Sequence, residues 1–209
     1  MLSQKMQEAL NGQINAELWS AYLYMSMSLD AEAEGYPGIA KWFWIQWLEE
    51  QDHARILQNY VIERGAKVSL KPLLNVRTNW RTPVEMYKDA FMHEMEITNM
   101  INRLYMEAQM ERDFATQERL RWFLSEQVEE ESSVRSIYEL LCRAAGIDFS
   151  QSGRQEKAAG MENRQSGPQE KAAERIDIQS PMDKTSLFNY HLVDKELGMR
   201  CYRKAAPLE

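Results

Sequence analysis

Four glutamates stand where a helical core would ordinarily place apolar side chains. Glu17, Glu50, Glu94 and Glu130 each fall near the midpoint of a stripe of apolar residues, one on each of four candidate helices. His53 follows Glu50 by three residues, and Gln127 precedes Glu130 by three. An i, i+3 pair projects both side chains to the same side of a helix. An isolated buried carboxylate is costly unless it is paired or bound to metal. Four carboxylates meeting at one level would repel one another strongly without cations, and two metal ions would neutralise the set. Mixed carboxylate and imidazole ligands suit iron, zinc or manganese better than calcium or magnesium. Carboxylates can also bridge two metals, and two irons held close together can each give one electron to O2. The competing reading is a buried salt-bridge network, but no Lys or Arg occupies matching levels of the stripes. Gln127 reads equally as a ligand or as a hydrogen-bonding core residue.

The elements that must position these residues are helices. Gly and Pro are few, at 9 and 6, while Met, Glu, Gln, Leu and Ala abound. The first helix starts at Ser3, whose hydroxyl can cap it, and runs to about Glu34 before the break Gly35-Tyr36-Pro37-Gly38. Its inward stripe is Leu10, Ile14, Glu17, Ala21 and Tyr24. Pro37 suits the first turn of a second helix that ends at Gly65. Residues 66–81 have no helical stripe and read as a long connection. Thr82-Pro83-Val84-Glu85 is a capping box opening a third helix, with Tyr87, Ala90, Phe91, Glu94, Ile97, Ile101, Leu104 and Ala108 on one side. Asp113 caps a fourth helix, with Leu120, Phe123, Gln127, Glu130, Val134, Ile137 and Leu141 inward, ending at Gly146. Two helices, a long crossover and two more helices describe an all-α four-helix bundle with one long connection.

The bundle therefore occupies residues 1–146. Beyond it, Gln151-Ser152-Gly153-Arg154-Gln155-Glu156-Lys157-Ala158-Ala159 recurs as Gln165-Ser166-Gly167-Pro168-Gln169-Glu170-Lys171-Ala172-Ala173, a fourteen-residue unit seen twice. Residues 147–184 are rich in Gln, Ser, Gly and charge, and read as a low-complexity insertion. Residues 185–209 hold a short fifth helix, amphipathic from Ser186 to Leu197, and a tail. The net charge of −7 argues against nucleic acid as a partner. No run approaches the roughly 20 apolar residues that span a bilayer, the N-terminus has no secretory pattern, and the two cysteines are far apart. A cytoplasmic protein with no membrane association is expected. Trp42, Trp44 and Trp47 crowd one stretch and cannot all face inward, which places at least one at a subunit contact. His93 reads as a polar contact, His191 as a packed or hydrogen-bonded residue, and Cys142 as a small core residue.

The chain resembles the prokaryotic non-haem ferritins, within the ferritin-like di-iron proteins. The resemblance rests on Glu17-Leu18-Trp19-Ser20-Ala21-Tyr22-Leu23-Tyr24, Glu49-Glu50-Gln51-Asp52-His53-Ala54, His93-Glu94, Trp122 through Glu131, and Leu192-Val193-Asp194-Lys195-Glu196-Leu197-Gly198. It implies one iron site from Glu17, Glu50 and His53, and a second from a bridging Glu50 with Glu94 and Glu130, Gln127 being close by. It further implies that Tyr24 donates an electron beside this di-iron centre, while the residue also reads as ordinary core with its hydroxyl bonded to a carboxylate, and the two roles are compatible. Glu49, Glu126 and Glu129, with Glu130 shared, match a third iron site, for which a solvated acidic face is the alternative. The expected activity is oxidation of Fe(II) by O2 or hydrogen peroxide, with Fe(III) mineral stored in a homo-oligomeric cage of twenty-four subunits and the fifth helix near its four-fold axis.

Rival members of the superfamily fit less well. Rubrerythrin-like peroxidases and haem-bearing bacterioferritins use Glu-x-x-His on two helices, whereas the fourth helix here carries Gln127-x-x-Glu130. There is no Cys-x-x-Cys for a rubredoxin iron, and Gln51-Asp52 leaves no methionine between Glu50 and His53 to hold a haem. A non-catalytic cage subunit would have a broken ligand set. A DNA-protecting mini-ferritin would lack the fifth helix.

Overall fold

A computed structural model describes residues 1–149 and 184–205. The duplicated unit at 151–173, and with it nearly all of the expected 147–184 insertion, lies outside the described residues. All regular structure within them is helical: α1 (Gln4–Ala33), α2 (Pro37–Glu63), α3 (Pro83–Met110), α4 (Phe114–Ala144) and α5 (Lys184–Leu197). No helix among them is long and apolar enough to cross a membrane.

Local chemistry sets the helix starts. Ser3 Oγ accepts from the Met6 amide at 3.0 Å, Thr82 Oγ1 from the Glu85 amide at 3.2 Å, and Asp113 Oδ1 from the Thr116 amide at 3.2 Å. Each satisfies an amide that has no partner within its own helix. The return half of the Thr82 capping box is displaced by one residue. Glu85 Oε2 accepts from the Arg81 amide at 2.9 Å, and its Oε1 accepts from Arg77 Nη2 at 2.6 Å.

Two apolar clusters divide the bundle. One joins the C-terminal half of α1 to the N-terminal halves of α2 and α3 and the C-terminal half of α4, around Tyr24, Phe43, Tyr87 and Leu141. The other joins the opposite halves, around Leu10, Leu57, Ile101 and Phe123. Hence α1 and α2 are antiparallel, α3 runs parallel to α2, and α4 returns antiparallel to α3. The connection from α2 to α3 must travel the whole bundle, and it does so along α1. Asn11 Nδ2 donates to Lys67 O (3.1 Å), Trp19 Nε1 to Leu74 O (2.9 Å), Ser26 Oγ to Arg77 O (2.8 Å), and Asp30 Oδ2 accepts from the Trp80 amide (3.0 Å). A segment without its own secondary structure thus has several of its backbone groups satisfied by side chains of α1.

The expected stripes are buried with two adjustments. Phe91 is half-buried, and on α4 Tyr138 takes the core position expected for Ile137, which is half-buried. A 3.6-residue repeat from Val134 falls between the two positions, and the larger ring reaches inward, 6.3 Å from Phe91 and 5.2 Å from Phe149. Trp42 is buried while Trp44 is exposed, its ring 4.3 Å from that of the half-buried Trp47. Cys142 is buried, and His191 is exposed with its ring 5.5 Å from Tyr36.

The fifth helix docks across the start of α2. Tyr36, at the N-cap of α2, makes no side-chain cap bond. Asp194 of α5 supplies one instead: its Oδ1 accepts from the Ile39 amide at 2.7 Å. The approach is so close that a Cβ on Gly38 would meet the Asp194 carbonyl oxygen at 1.7 Å. Only glycine permits this crossing.

Candidate metal centre

Between the two apolar clusters lies a polar layer, to which each long helix contributes one carboxylate. Glu17, Glu50, Glu94 and Glu130 are between 1% and 5% exposed, and His53 and Gln127 are equally buried. Among the described residues no lysine or arginine is buried. The layer arises because each glutamate replaces one apolar residue in its stripe: Glu17 follows Ile14, Glu94 sits between Ala90 and Ile97, and Glu130 precedes Val134.

The structure gathers these side chains into overlapping groups. Ligand atoms of Glu17, Glu50 and His53 lie within 4.8 Å of one another, with His53 Nδ1 3.5 Å from Glu50 Oε2. Those of His53, Glu126 and Glu130 form a second group within the same limit. Glu94 belongs to neither triad; the Tyr24 hydroxyl donates to its Oε1 and Gln127 Nε2 donates to its Oε2 at 3.1 Å. Gln127 also donates to Thr98 Oγ1 at 3.2 Å, so it serves here as a hydrogen-bond donor to the layer. Of the acidic residues expected alongside, Glu126 is half-buried and Glu129 is exposed and outside both triads. Glu49 is half-buried and paired with Arg200 of the C-terminal tail at 2.5 Å.

Two glutamines escaped the sequence reading. Gln13 Nε2 donates to Glu17 Oε1 at 2.9 Å, and Gln46 Nε2 donates to Glu130 Oε2 at 2.8 Å. Both are buried. The signal was present, since each lies four residues before a layer glutamate on the same stripe, Gln13 before Glu17 and Gln46 before Glu50. Gln46 nevertheless reaches across to α4 rather than along its own helix. Each amide holds one carboxylate oxygen. Glu17 Oε2 is left buried with no hydrogen-bond partner among the described residues.

Crowding like charges away from water has the expected electrostatic result. Burial pushes Glu50 well above the usual carboxylate range, and Glu94, Glu17 and Glu130 push it further. Glu130 is pushed up to about 7 by burial and by Glu94, against the lowering fields of His53 and Arg200 and the Gln46 hydrogen bond. Glu94 is raised by burial, although the Tyr24 and Gln127 hydrogen bonds oppose this. Glu49 rises to about 7 by burial despite Arg200, and Glu126 is raised by burial and by Glu129. The Tyr24 hydroxyl is held well above its ordinary value by burial and by Glu94. Without cations the layer is costly, and divalent metal would relieve that cost directly.

His93 does not join the layer. Its Nε2 lies 2.7 Å from Ser20 Oγ, its ring packs 5.1 Å from Trp19, and burial lowers its pKa to about 4. Trp122 and Phe123 instead wall the centre, edge-on to His53 at 5.4 and 5.9 Å.

Comparison with known proteins places this geometry in context. Residues 7–144 match the model of the ferritin-like domain. The bacterial non-heme ferritin of Bacteroides fragilis (strain 638R) is 42% identical over 154 residues, 73% of this chain and 97% of that protein. The bacterial non-heme ferritin of Staphylococcus aureus (strain USA300) is 36% identical over 143 residues, 68% of this chain and 86% of its own length. The crystal structure of an open pore ferritin from the hyperthermophilic archaeon Archaeoglobus fulgidus superimposes with a TM-score of 0.72 at 33% identity. The match covers 96% of this chain and 100% of the archaeal one.

Proposed function

The chain belongs to the ferritin family, and from that premise we propose that it is an iron-storage subunit that oxidises Fe(II) at a di-iron centre inside its own bundle. One observation carries this reading. Four buried carboxylates from four helices and one imidazole meet at one level where no lysine or arginine is buried among the described residues, and one Glu17 oxygen has no partner. A purely structural core would gain nothing from such a layer.

In the proposed reaction two Fe(II) ions are substrates. Glu17, Glu50 and His53 bind one, and Glu50, Glu94 and Glu130 bind the other, with Glu50 shared between them. Gln13 and Gln46 hold Glu17 and Glu130 in place, and Gln127 holds Glu94, so binding needs little rearrangement of the carboxylates. Each iron gives one electron to O2, which with two protons becomes hydrogen peroxide. When peroxide is the oxidant, the same two electrons and two protons yield water. Tyr24, hydrogen-bonded to Glu94, is proposed as the electron donor beside the pair, its one electron taking the place of one iron's in the two-electron reduction. The Fe(III) product, hydrolysed with release of protons, moves past Glu49, Glu126 and Glu129, a third iron position, to a mineral store inside a homo-oligomeric cage of twenty-four subunits. We place this protein in the cytoplasm, without haem. The bundle of residues 1–146 carries the chemistry, with 147–184 as an insertion and 185–209 as the fifth helix and tail.

The test is stopped-flow absorbance after mixing metal-free protein with Fe(II) in air. Glu50→Ala and Glu130→Ala should lose the rapid oxidation phase while the oligomer persists. Native rates in both variants would overturn the di-iron assignment.

A further inference from the structure

The C-terminal tail does more than follow the fifth helix. After Leu197, which packs on the first apolar cluster, the chain runs along α2 until Ala205 packs on the second, so it crosses the level of the metal centre. It is fastened at each step. Lys41 Nζ donates to Gly198 O at 2.8 Å, Arg200 Nη1 to Trp42 O at 3.3 Å, the Tyr202 hydroxyl to Asp52, and the Ala205 amide to Asp52 Oδ2 at 3.3 Å. The central fastening is Arg200. Its guanidinium lies 4.6 Å from the Trp42 ring centroid and donates from Nη2 to Glu49 Oε2 at 2.5 Å. Both side chains of this ion pair are largely shielded, at 24% and 18% exposure.

We infer that Arg200 is a built-in competitor for the third metal position, occupying Glu49 so that a metal ion binds beside Glu126 and Glu129 only by displacing the guanidinium. This rests on the reading of Glu49, Glu126 and Glu129 as a metal position. A guanidinium suits the role because it stays charged at every accessible pH and its planar face stacks on an aromatic ring. A divalent ion carries twice the charge on a smaller body. It prevails once enough has accumulated, and the tail then loses its hold on Glu49. Neither ion of the pair has to displace a guanidinium, since Glu17, Glu50, His53, Glu94 and Glu130 have no arginine partner among the hydrogen bonds and ion pairs of the described residues, and Arg200 reaches Glu130 only through its field. The device orders the filling: pair first, third position afterwards.

The experiment uses full-length, metal-free protein titrated with Zn(II), a redox-inert probe suited to carboxylate and imidazole ligands. Calorimetry gives stoichiometry and affinity, and anomalous scattering from soaked crystals gives position. Arg200→Met keeps an apolar stem against Trp42 and removes the charge. Arg200→Lys keeps the charge without the planar fork. In the native protein Zn(II) should fill the pair before the Glu49 position. Arg200→Met should tighten binding at the Glu49 position by at least about tenfold, the size expected on removing a charge-assisted competitor, and change pair affinity far less, through the lost field on Glu130 alone. Arg200→Lys should fall between, and adding Glu49→Gln to Arg200→Met should abolish the gain. A merely structural arginine would weaken binding everywhere or nowhere, and would not tighten it at one position. Equal affinity at the Glu49 position in native protein and Arg200→Met overturns the inference. Zinc at the pair but never near Glu49 in Arg200→Met refutes the third position and the inference together, leaving the pair intact. Zinc at neither refutes the proposed centre itself.

Discussion

The substitution Glu130→Gln separates the cost of the polar layer from its use. The change keeps the shape of the side chain and leaves an oxygen to accept from Gln46, 2.8 Å away, but removes the charge. Burial, with Glu94 facing it, pushes the Glu130 carboxyl from its ordinary 4.5 to about 7. Each factor of ten in proton affinity is worth about 1.4 kcal/mol, so the ionised carboxylate costs the metal-free fold about 3 kcal/mol. The sign follows from which state holds the proton more tightly. Here it is the folded state, so no cost is felt below pH 4.5, it grows as pH rises from 4.5 to 7, and it is fully present above. Guanidinium unfolding of chelator-treated protein, at one fixed concentration, should therefore find Glu130→Gln about 3 kcal/mol more stable than native near pH 8, with little difference near pH 4.5. The exposed Glu129→Gln should change stability by no more than about 0.5 kcal/mol at either pH. Saturating Zn(II) should reverse the order, because the native layer then gains a counter-charge the variant cannot fully use. If Glu130→Gln is no more stable than native near pH 8, or its gain is the same at both pH values, the cost does not reside in this buried charge.

Further outcomes can be measured independently. Gln13→Ala and Gln46→Ala should each weaken Zn(II) binding at the pair by about 10- to 100-fold, as loss of a ligand-orienting hydrogen bond does; calorimetry checks it, and unchanged affinity would mean the amides do not orient the glutamates. Glu126→Ala and Glu129→Ala should leave the first oxidation event nearly intact and alter later turnovers, read by sequential Fe(II) additions in the stopped flow; a first-event loss as large as in Glu50→Ala would place them in the pair. Gly38→Ala should undock α5, since its Cβ would fall 1.7 Å from the Asp194 carbonyl oxygen; hydrogen exchange should show lost protection in Lys184–Leu197 with the bundle unaffected, and retained protection would refute the close crossing. Replacing residues 150–183 with a short Gly-Ser linker should change neither oligomer size by light scattering nor the initial oxidation rate. Failure to assemble would make that segment an assembly element.

What could be read from the chain alone is what is local or periodic. Ser3, Thr82 and Asp113 mark helix starts because a cap bond spans only three residues, as the Ser3–Met6 contact does. The inward stripes follow from the 3.6-residue repeat, and the four carboxylates and His53 stand out because each breaks an apolar stripe. The parallel relation of α2 to α3 follows from a long connection between two hairpins. Other features join residues far apart in sequence, and no pattern within one helix encodes them. Gln46 faces Glu130 across 84 residues, Asp194 caps α2 across 155, and Arg200 reaches Glu49 across 151. Tertiary packing alone decided that Glu94 is the carboxylate Tyr24 and Gln127 hold, that His53 is shared between two acidic groups, and that the Glu49 position already carries a cation. The physical reason is that periodicity states which face of a helix points inward, whereas the partner met there depends on how every other helix and the tail are packed against it.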